Sequence, residues 1–356
     1  MSRLAAAAGE LSRLGHDALL VSSRSNIRYL SGFNGTSGYL VVRSDGSAVV
    51  VTDARYEERI ADELRNVSGL EVSIAPSGWD SLPALVGDAA SVALEASDLS
   101  WSHAQTISNL LGADRVSPTS GLVEGLREHK DEEELSHIRS ACAVADQAFS
   151  AVIDNLKPGR SERDVAWAFA EAVRAGGGEG VAYPPIVASG PNASRPHHAT
   201  GDRPLAEGDL VIVDAGAMVE GYRSDMTRSF VLGQPTTRQQ AILDAVAHAQ
   251  SVGVSAVASG VQAAELDTVC RMALHDAGWG EYFTHGTGHG IGLDIHEAPW
   301  VSASATATLA PGHVITVEPG VYLLGEGGVR WEDTVVVTAT GSETLTMSPK
   351  QPVIDL

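Results

Sequence analysis

Apolar residues gather in short runs closed by glycine, proline or an acid, and stretches with helical spacing lie between them. Such runs read as buried strands, and the intervening stretches read as helices. In the first third, strands are expected at 18–22, 39–42, 48–52, 70–74 and 92–95. Ser44, Asp45 and Gly46 make a turn between the second and third. Helices are expected at 54–66, 79–86 and 100–111. This alternation predicts an α/β domain over residues 1–120. Residues 1–15 carry Leu4, Leu11 and Leu14 at helical spacing, with Glu10 and Arg13 interrupting the alanines. They read as an amphipathic helix, not a secretory signal.

A polar stretch at 117–121 follows the first domain. Acids at 131–134 then open a helix to about residue 156, where they suit the helix dipole. Ser161, with Asp164 three residues on, caps the next helix. After the glycines at 176–178 strands dominate, at 186–188, 210–213, 228–232, 314–317 and 329–337. Helices at about 238–258 and 263–277 are inserted among them. The order is not a strict β-α alternation. It predicts an α+β domain over 131–356, with helices packed on a mainly antiparallel sheet. No repeat is evident at a period of about 20–50 residues.

The 356 residues, 44% hydrophobic and 19% charged, can build two cored domains. A net charge of −21, from 24 basic and 45 acidic residues, argues against nucleic-acid or anionic-membrane partners. No apolar run approaches the ~18 residues of a membrane span. Cys142 and Cys270 lie in separate expected helices without a C-x-x-C partner. They read as free structural thiols in a reducing cytoplasm.

The chemistry gathers around residues 210–232. The run Val211-Ile212-Val213 is stopped by Asp214, and Asp225 opens the next β-rich run, so the two runs read as a hairpin. Acids at the inner ends of buried strands are costly unless paired. A bound cation would turn their repulsion into a ligand field, whereas exposed turn acids would need none. Two later acids match them. Glu318 ends the run 314–317, and Glu332 sits inside 329–337. Among the 12 histidines, His197, His198, His285, His289 and His296 lie in Gly- or Pro-flanked stretches. His289 stands between Gly288 and Gly290, which permit close backbone approach. Four carboxylates and one imidazole form a hard set suited to Mn²⁺, Co²⁺, Fe²⁺ or Zn²⁺. They are too many for one catalytic ion and fit two ions ~3.5–4 Å apart. Such a pair activates water and polarises a carbonyl, which points to hydrolysis of an amide.

The chain resembles the prolidase and aminopeptidase P group of pita-bread metallopeptidases. The resemblance runs from Asn26-Ile27-Arg28-Tyr29-Leu30-Ser31-Gly32-Phe33, through the 185–198 segment and Gly292-Leu293-Asp294-Ile295-His296-Glu297, to Gly328-Val329-Arg330-Trp331-Glu332-Asp333. It implies a pita-bread C-terminal domain behind a creatinase/prolidase-type α/β domain. It implies two divalent ions, first of all Mn²⁺, with Co²⁺ or Zn²⁺ as alternatives, held by Asp214, Asp225, His289, Glu318 and Glu332. Asp225 and Glu332 would bridge the ions, and Glu318 would also handle the water proton. His197 would contact the substrate or the intermediate, and His296 would lie near the scissile amide. His285 and His198 would line the pocket, and Tyr222 and Arg330 would orient ligand carboxylates.

The implied activity is cleavage before proline in Xaa-Pro dipeptides, by a cytoplasmic homodimer acting on small peptides. Release of the first residue of longer Xaa-Pro peptides is the alternative. A creatinase-like hydrolase and a non-catalytic binding module of this fold would both be expected to lack ligands that are all present here. Methionine aminopeptidase shares the catalytic fold, but the first domain argues against it. Some relatives carry an arginine after the His-Glu pair, where this chain has Trp300. A tryptophan can stack on a proline ring but cannot pair with a carboxylate. The carboxylate would then need another cation, such as Arg43 or Arg55 from a neighbouring subunit.

Overall fold

The computed structural model describes residues 2–64, 67, 69–76 and 78–356. The chain divides into two compact units, Met1–Arg127 and Glu128–Leu356.

The first unit is a six-stranded mixed sheet. Its strand order is Leu70–Ile74, Ala48–Thr52, Tyr39–Arg43, Ala18–Val21, Val92–Glu95, Val116–Thr119. Leu20, Val41, Val49 and Leu94 on one face meet Leu82, Val86, Ile107 and Leu111 of the covering helices. The N-terminal helix Arg3–Arg13 buries Leu4, Ala7, Ala8 and Leu11, and Ser2 caps it. Leu14 falls outside that stripe and is exposed.

Two local expectations for this unit change, and one helix appears that the pattern did not predict. The polar stretch at 117–121 contributes an edge strand, Val116–Thr119, parallel to Val92–Glu95. Proline is tolerated at such an edge. Residues 24–31 form a helix, Arg24–Ser31, ended by Gly32 at φ 81°. The expected helix 54–66 is a 3₁₀ turn, Ala54–Tyr56, followed by Glu57–Glu63, and its last two residues lie outside the described ones. Arg43 and Arg55 each have a partner within the chain: Ser47 Oγ at 3.1 Å for Arg43, and Asp53 Oδ2 at 2.7 Å for Arg55.

The second unit is α+β. Glu132–Asn155 begins with a capping box between Asp131 and Glu134, and Glu162–Ala175 with one between Ser161 and Asp164. Caps of this kind contribute about 1 kcal/mol each. The two helices pack on a four-stranded sheet ordered Val353–Ile354, Thr227–Leu232, Leu210–Asp214, Ile186–Ser189. Phe149 and Phe169 meet edge to face at 5.5 Å over Val211, Val213 and Phe230. Fully burying such a side chain stabilises by ~1.5–3 kcal/mol.

A second helix pair, Thr237–Ala256 and Ala263–Asp276, also starts with capping boxes, at Thr236 and Gln262. It leads into a five-stranded antiparallel sheet ordered Glu297–Val301, Gly288–Gly290, Val314–Val317, Asp333–Thr338, Gly341–Thr344. The bridges Ser161↔Pro204 and Gln262↔Thr308 stand at matching places, each beginning at the N-cap of the second helix of its pair. The unit is therefore built twice over, with a period of roughly 100 residues, beyond the 20–50-residue window of ordinary repeats.

The expected hairpin is present: Leu210–Asp214 pairs antiparallel with Thr227–Leu232, Asp214 opposite Thr227. A smaller hairpin, Ala217–Val219 with Tyr222–Arg223, fills the connection. The expected strand 329–337 is two strands. Gly327–Arg330 pairs with Gly320–Leu323, and Asp333–Thr338 joins the five-stranded sheet. The chain changes sheets at Trp331 and Glu332, both buried, so an unbroken apolar run conceals the break.

Candidate metal centre

Asp214, Asp225 and Glu318 stand at strand ends as expected, and Glu332 stands at one too rather than inside a strand. Asp214 ends Leu210–Asp214, and Asp225 lies just before Thr227–Leu232. Glu318 follows Val314–Val317, and Glu332 precedes Asp333–Thr338. Each half of the duplicated unit supplies one acid after its central strand and one before the next. His289 comes from Gly288–Gly290. A Cβ on Gly288 would lie 2.0 Å from Thr316 O, and one on Gly290 2.3 Å from Ala298 O. Only glycines let both neighbouring strands approach His289 this closely.

Ligand atoms of Asp225, His289 and Glu332 lie within 4.8 Å of one another. His289 Nδ1 donates to Gly290 O at 3.0 Å, which turns Nε2 toward the acids. Nε2 is 3.6 Å from Asp225 Oδ2 and 3.4 Å from Glu318 Oε1. Thr316 Oγ1 accepts from His289 N at 3.1 Å and donates to Glu318 Oε1 at 3.2 Å. Tyr183 was not singled out in the sequence. Its hydroxyl is hydrogen-bonded to both Asp214 and Asp225. Asp214 and Glu318 join the other three around one cavity of about 510 Å³.

The electrostatics match the geometry. Burial, followed by the charge of Asp214, pushes Asp225 well above the usual carboxylate range. Burial and then Asp225 do the same to Glu332, and burial raises Glu318. Buried acids forced together in this way hold protons unless a cation replaces them. The oxygen-rich set with one imidazole fits hard or borderline divalent ions and lacks the thiolates a soft metal would select.

Arg330 is the one cationic side chain among the residues lining the cavity. It is already engaged: Nη2 donates to Asp214 Oδ2 at 2.7 Å, Nη1 to Tyr322 OH at 2.8 Å and Nε to Thr227 Oγ1 at 2.9 Å. Thr227 Oγ1 in turn donates to Glu332 Oε2 at 2.7 Å. Arg330 thus reaches one acid directly and another through a hydroxyl.

The remaining expected residues separate into two groups. His197, His285, His296 and Trp300 line the cavity. The rings of His296 and His289 meet edge to face at 4.3 Å, and Trp300 is 54% exposed beside them. Both nitrogens of His285 are committed, Nδ1 to Gly286 O at 2.7 Å and Nε2 to Tyr322 OH at 2.9 Å. Burial lowers the pKa of His285 and of His296. His198 points elsewhere: its Nε2 is 2.8 Å from the fully buried Glu162, so it braces the loop carrying His197 instead of lining the cavity. Tyr222 also turns away, donating to Glu134 Oε1 at 3.0 Å and stacking on His137. The hydroxyl that reaches two of the acids is that of Tyr183, not that of Tyr222. A polar aromatic between two apolar segments was the available signal, but spacing alone does not tell one such tyrosine from the other.

A family model described as metallopeptidase family M24 matches residues 136–339, and one described as the creatinase/prolidase N-terminal domain matches residues 3–129. The Xaa-Pro dipeptidase of Pyrococcus horikoshii is 33% identical over 336 residues, covering 94% of this chain and 94% of that protein. The structure of an Xaa-Pro dipeptidase from Bacillus anthracis superposes with a TM-score of 0.94 at 33% identity, covering 99% of each chain. That of an X-Pro aminopeptidase from Thermotoga maritima gives 0.87 at 33% identity, covering 97% of this chain and 99% of that one. The resemblance carried by the motifs extends over both units.

Proposed function

The chain belongs to metallopeptidase family M24, with a creatinase-like N-terminal domain ahead of a pita-bread catalytic domain, and from that premise we propose that it hydrolyses the peptide bond preceding proline, chiefly in Xaa-Pro dipeptides. The observation carrying the proposal is the approach of Asp225, His289 and Glu332 ligand atoms to within 4.8 Å of one another. Around it, Asp214, Asp225, His289, Glu318 and Glu332 would hold two divalent ions, with Asp225 and Glu332 shared between them. The hardness of the donors favours Mn²⁺, with Co²⁺ or Zn²⁺ as alternatives. When bound, such ions supply an acidified water and an electrophile for the scissile carbonyl.

The chain's own residues do the rest. Glu318, oriented by Thr316, takes the proton of the attacking water at its carboxylate and returns it to the proline nitrogen as the C–N bond breaks. His197 and His296 face the carbonyl oxygen as it gains charge and donate to it. An Xaa-Pro amide has no N–H, so it loses no backbone contact in a pocket walled by Ile295 and Trp300. The proline ring packs against the indole.

One observation favours a second reading, release of the first residue of longer Xaa-Pro peptides. Arg330 is committed to Asp214, Tyr322 and Thr227, and Trp300 carries no charge. A free carboxylate on the proline gains no cation from this cavity, whereas a peptide bond there needs none. The setting we propose is a homodimer in the reducing cytoplasm, which suits the buried free thiols of Cys142 and Cys270.

The test is turnover of Ala-Pro and Ala-Pro-Ala after chelation, and after add-back of Mn²⁺, Co²⁺ or Zn²⁺. Activity on either substrate that is lost on chelation and restored by a metal supports the peptidase. Activity that survives complete chelation opposes it.

A further inference from the structure

His296 stands in a turn between two strands, and what holds that turn lies far away in sequence. Glu297, the next residue, opens the strand Glu297–Val301 and pairs with Gly290 beside His289. Its Oε2 accepts from Asp294 N at 3.3 Å. Its carboxylate also fills the space at Gly292, where a Cβ would come within 2.5 Å of Oε1. The side chain of Glu297 therefore closes the 292–297 turn from below. Gly292 O accepts from Arg223 N at 2.9 Å, and Leu293 O from Arg223 Nε at 3.1 Å.

Oε1 of Glu297 is met by Lys130 Nζ at 2.6 Å, with the two side chains only 1% and 7% exposed, Lys130 first. Lys130 is itself fixed, because its N–H donates to Gly312 O at 2.9 Å. A buried ion pair adds little stability over apolar side chains of the same volume, while loss of one partner strands a charge. What the pair does supply is a fixed distance and direction for the turn that carries His296.

We infer that Lys130 is a positioning residue: through Glu297 it holds His296 at the angle from which it meets the scissile bond. This rests on the proposed part of His296 in the reaction. Lys130 touches no reacting atom. A shift of about 1 Å at a reacting group costs on the order of 100-fold in rate.

The test is a cycle of K130M, H296A and K130M/H296A in the full metal-loaded chain, reading kcat, KM and, by calorimetry, metal affinity. K130M is expected to lower kcat about 10–100-fold with KM and metal affinity little changed. The double variant is expected to lose no more than H296A alone, because Lys130 acts only through His296. Losses that multiply, or an unchanged kcat in folded K130M, would overturn the inference. An unimpaired H296A would remove the catalytic part of His296 and this inference with it. An impaired H296A beside an unimpaired K130M would overturn this inference alone. Should K130M fail to fold, K130M/E297M leaves no stranded charge. It is expected to keep the wild-type melting temperature and show the same loss of kcat, and wild-type kcat in it would overturn the inference.

Discussion

Arg330 donates to Asp214 Oδ2 from Nη2 at 2.7 Å, with its side chain 3% exposed. A guanidinium thus partly neutralises the acid cluster and fixes which oxygen of Asp214 faces the other acids. Removing it would leave Asp214 free to turn and the neighbouring acids less compensated. Arg330→Met is expected to lose about 10–100-fold in metal affinity or activity, the range for groups that orient ligands. Arg330→Lys should recover little, because an ammonium cannot serve Asp214, Tyr322 and Thr227 in three directions at once. Calorimetric titration of the chelated variants with Mn²⁺ checks both.

Tyr183 has one hydroxyl proton and two carboxylates to serve, Asp214 and Asp225. Burial, then the charge of Asp214, pushes Asp225 well above the usual carboxylate range, so the hydroxyl sits where the acids are hardest to ionise together. Tyr183→Phe removes the group that aligns the pair. About a tenfold fall in metal affinity is expected, with the melting temperature of the chelated protein little changed. Unaltered affinity would show that the two acids align themselves.

The strongest features were legible because they are local. Asp214 stops an apolar run, Glu318 follows another, and His289 is framed by two glycines. The capping box at Ser161 and the helix opened by Asp131 were readable for the same reason. What escaped depends on distance or on burial of both faces. The run containing Val329 and Val337 reads as one strand, yet Glu332 sits where the chain leaves one sheet for another. Tyr222 and Tyr183 carry the same chemistry, and only the tertiary path decides which reaches the acids. Lys130 and Glu297 are a sequence-distant buried pair, each of which looks like a surface charge by itself. The edge strand Val116–Thr119 is polar because one side of it has no neighbour to pack against.

Trp300 stands where an arginine would add charge to the cavity mouth. Trp300→Arg is expected to raise kcat/KM for Ala-Pro about tenfold or more, the worth of one hydrogen bond to a charged group at ~1.5–3 kcal/mol. Ala-Pro-Ala, with no carboxylate at that place, should gain nothing. An equal change for both substrates would show that the indole, not the missing charge, governs selectivity.

His313 gives the metal-free protein a pH dependence of its own. Burial, then His129 and Lys130, lowers its pKa to about 4. Its Nδ1 accepts from Ala310 N at 3.3 Å, and Nε2 is buried without a protein partner among the described residues. Protonating Nδ1 would break that bond and add a charge beside Lys130. The folded state therefore takes the proton at lower pH than the unfolded chain does, at ~6.5. The stability it contributes is complete above about pH 6.5 and is lost progressively as pH falls toward 4. Urea unfolding should show a loss of up to about 3 kcal/mol across that window, reduced by solvent screening of the ring. His313→Leu should flatten the slope.

The central claim is that these five side chains hold cations, and counting bound metal tests it most directly. Wild-type protein is to be chelated, dialysed against excess Mn²⁺, freed of unbound ion and analysed by elemental mass spectrometry, alongside Glu332→Gln. The account predicts two ions per wild-type chain and loss of tight binding in the variant, with both proteins folded. A wild-type chain that retains no ion, or a variant that retains as many as the wild type, would contradict it.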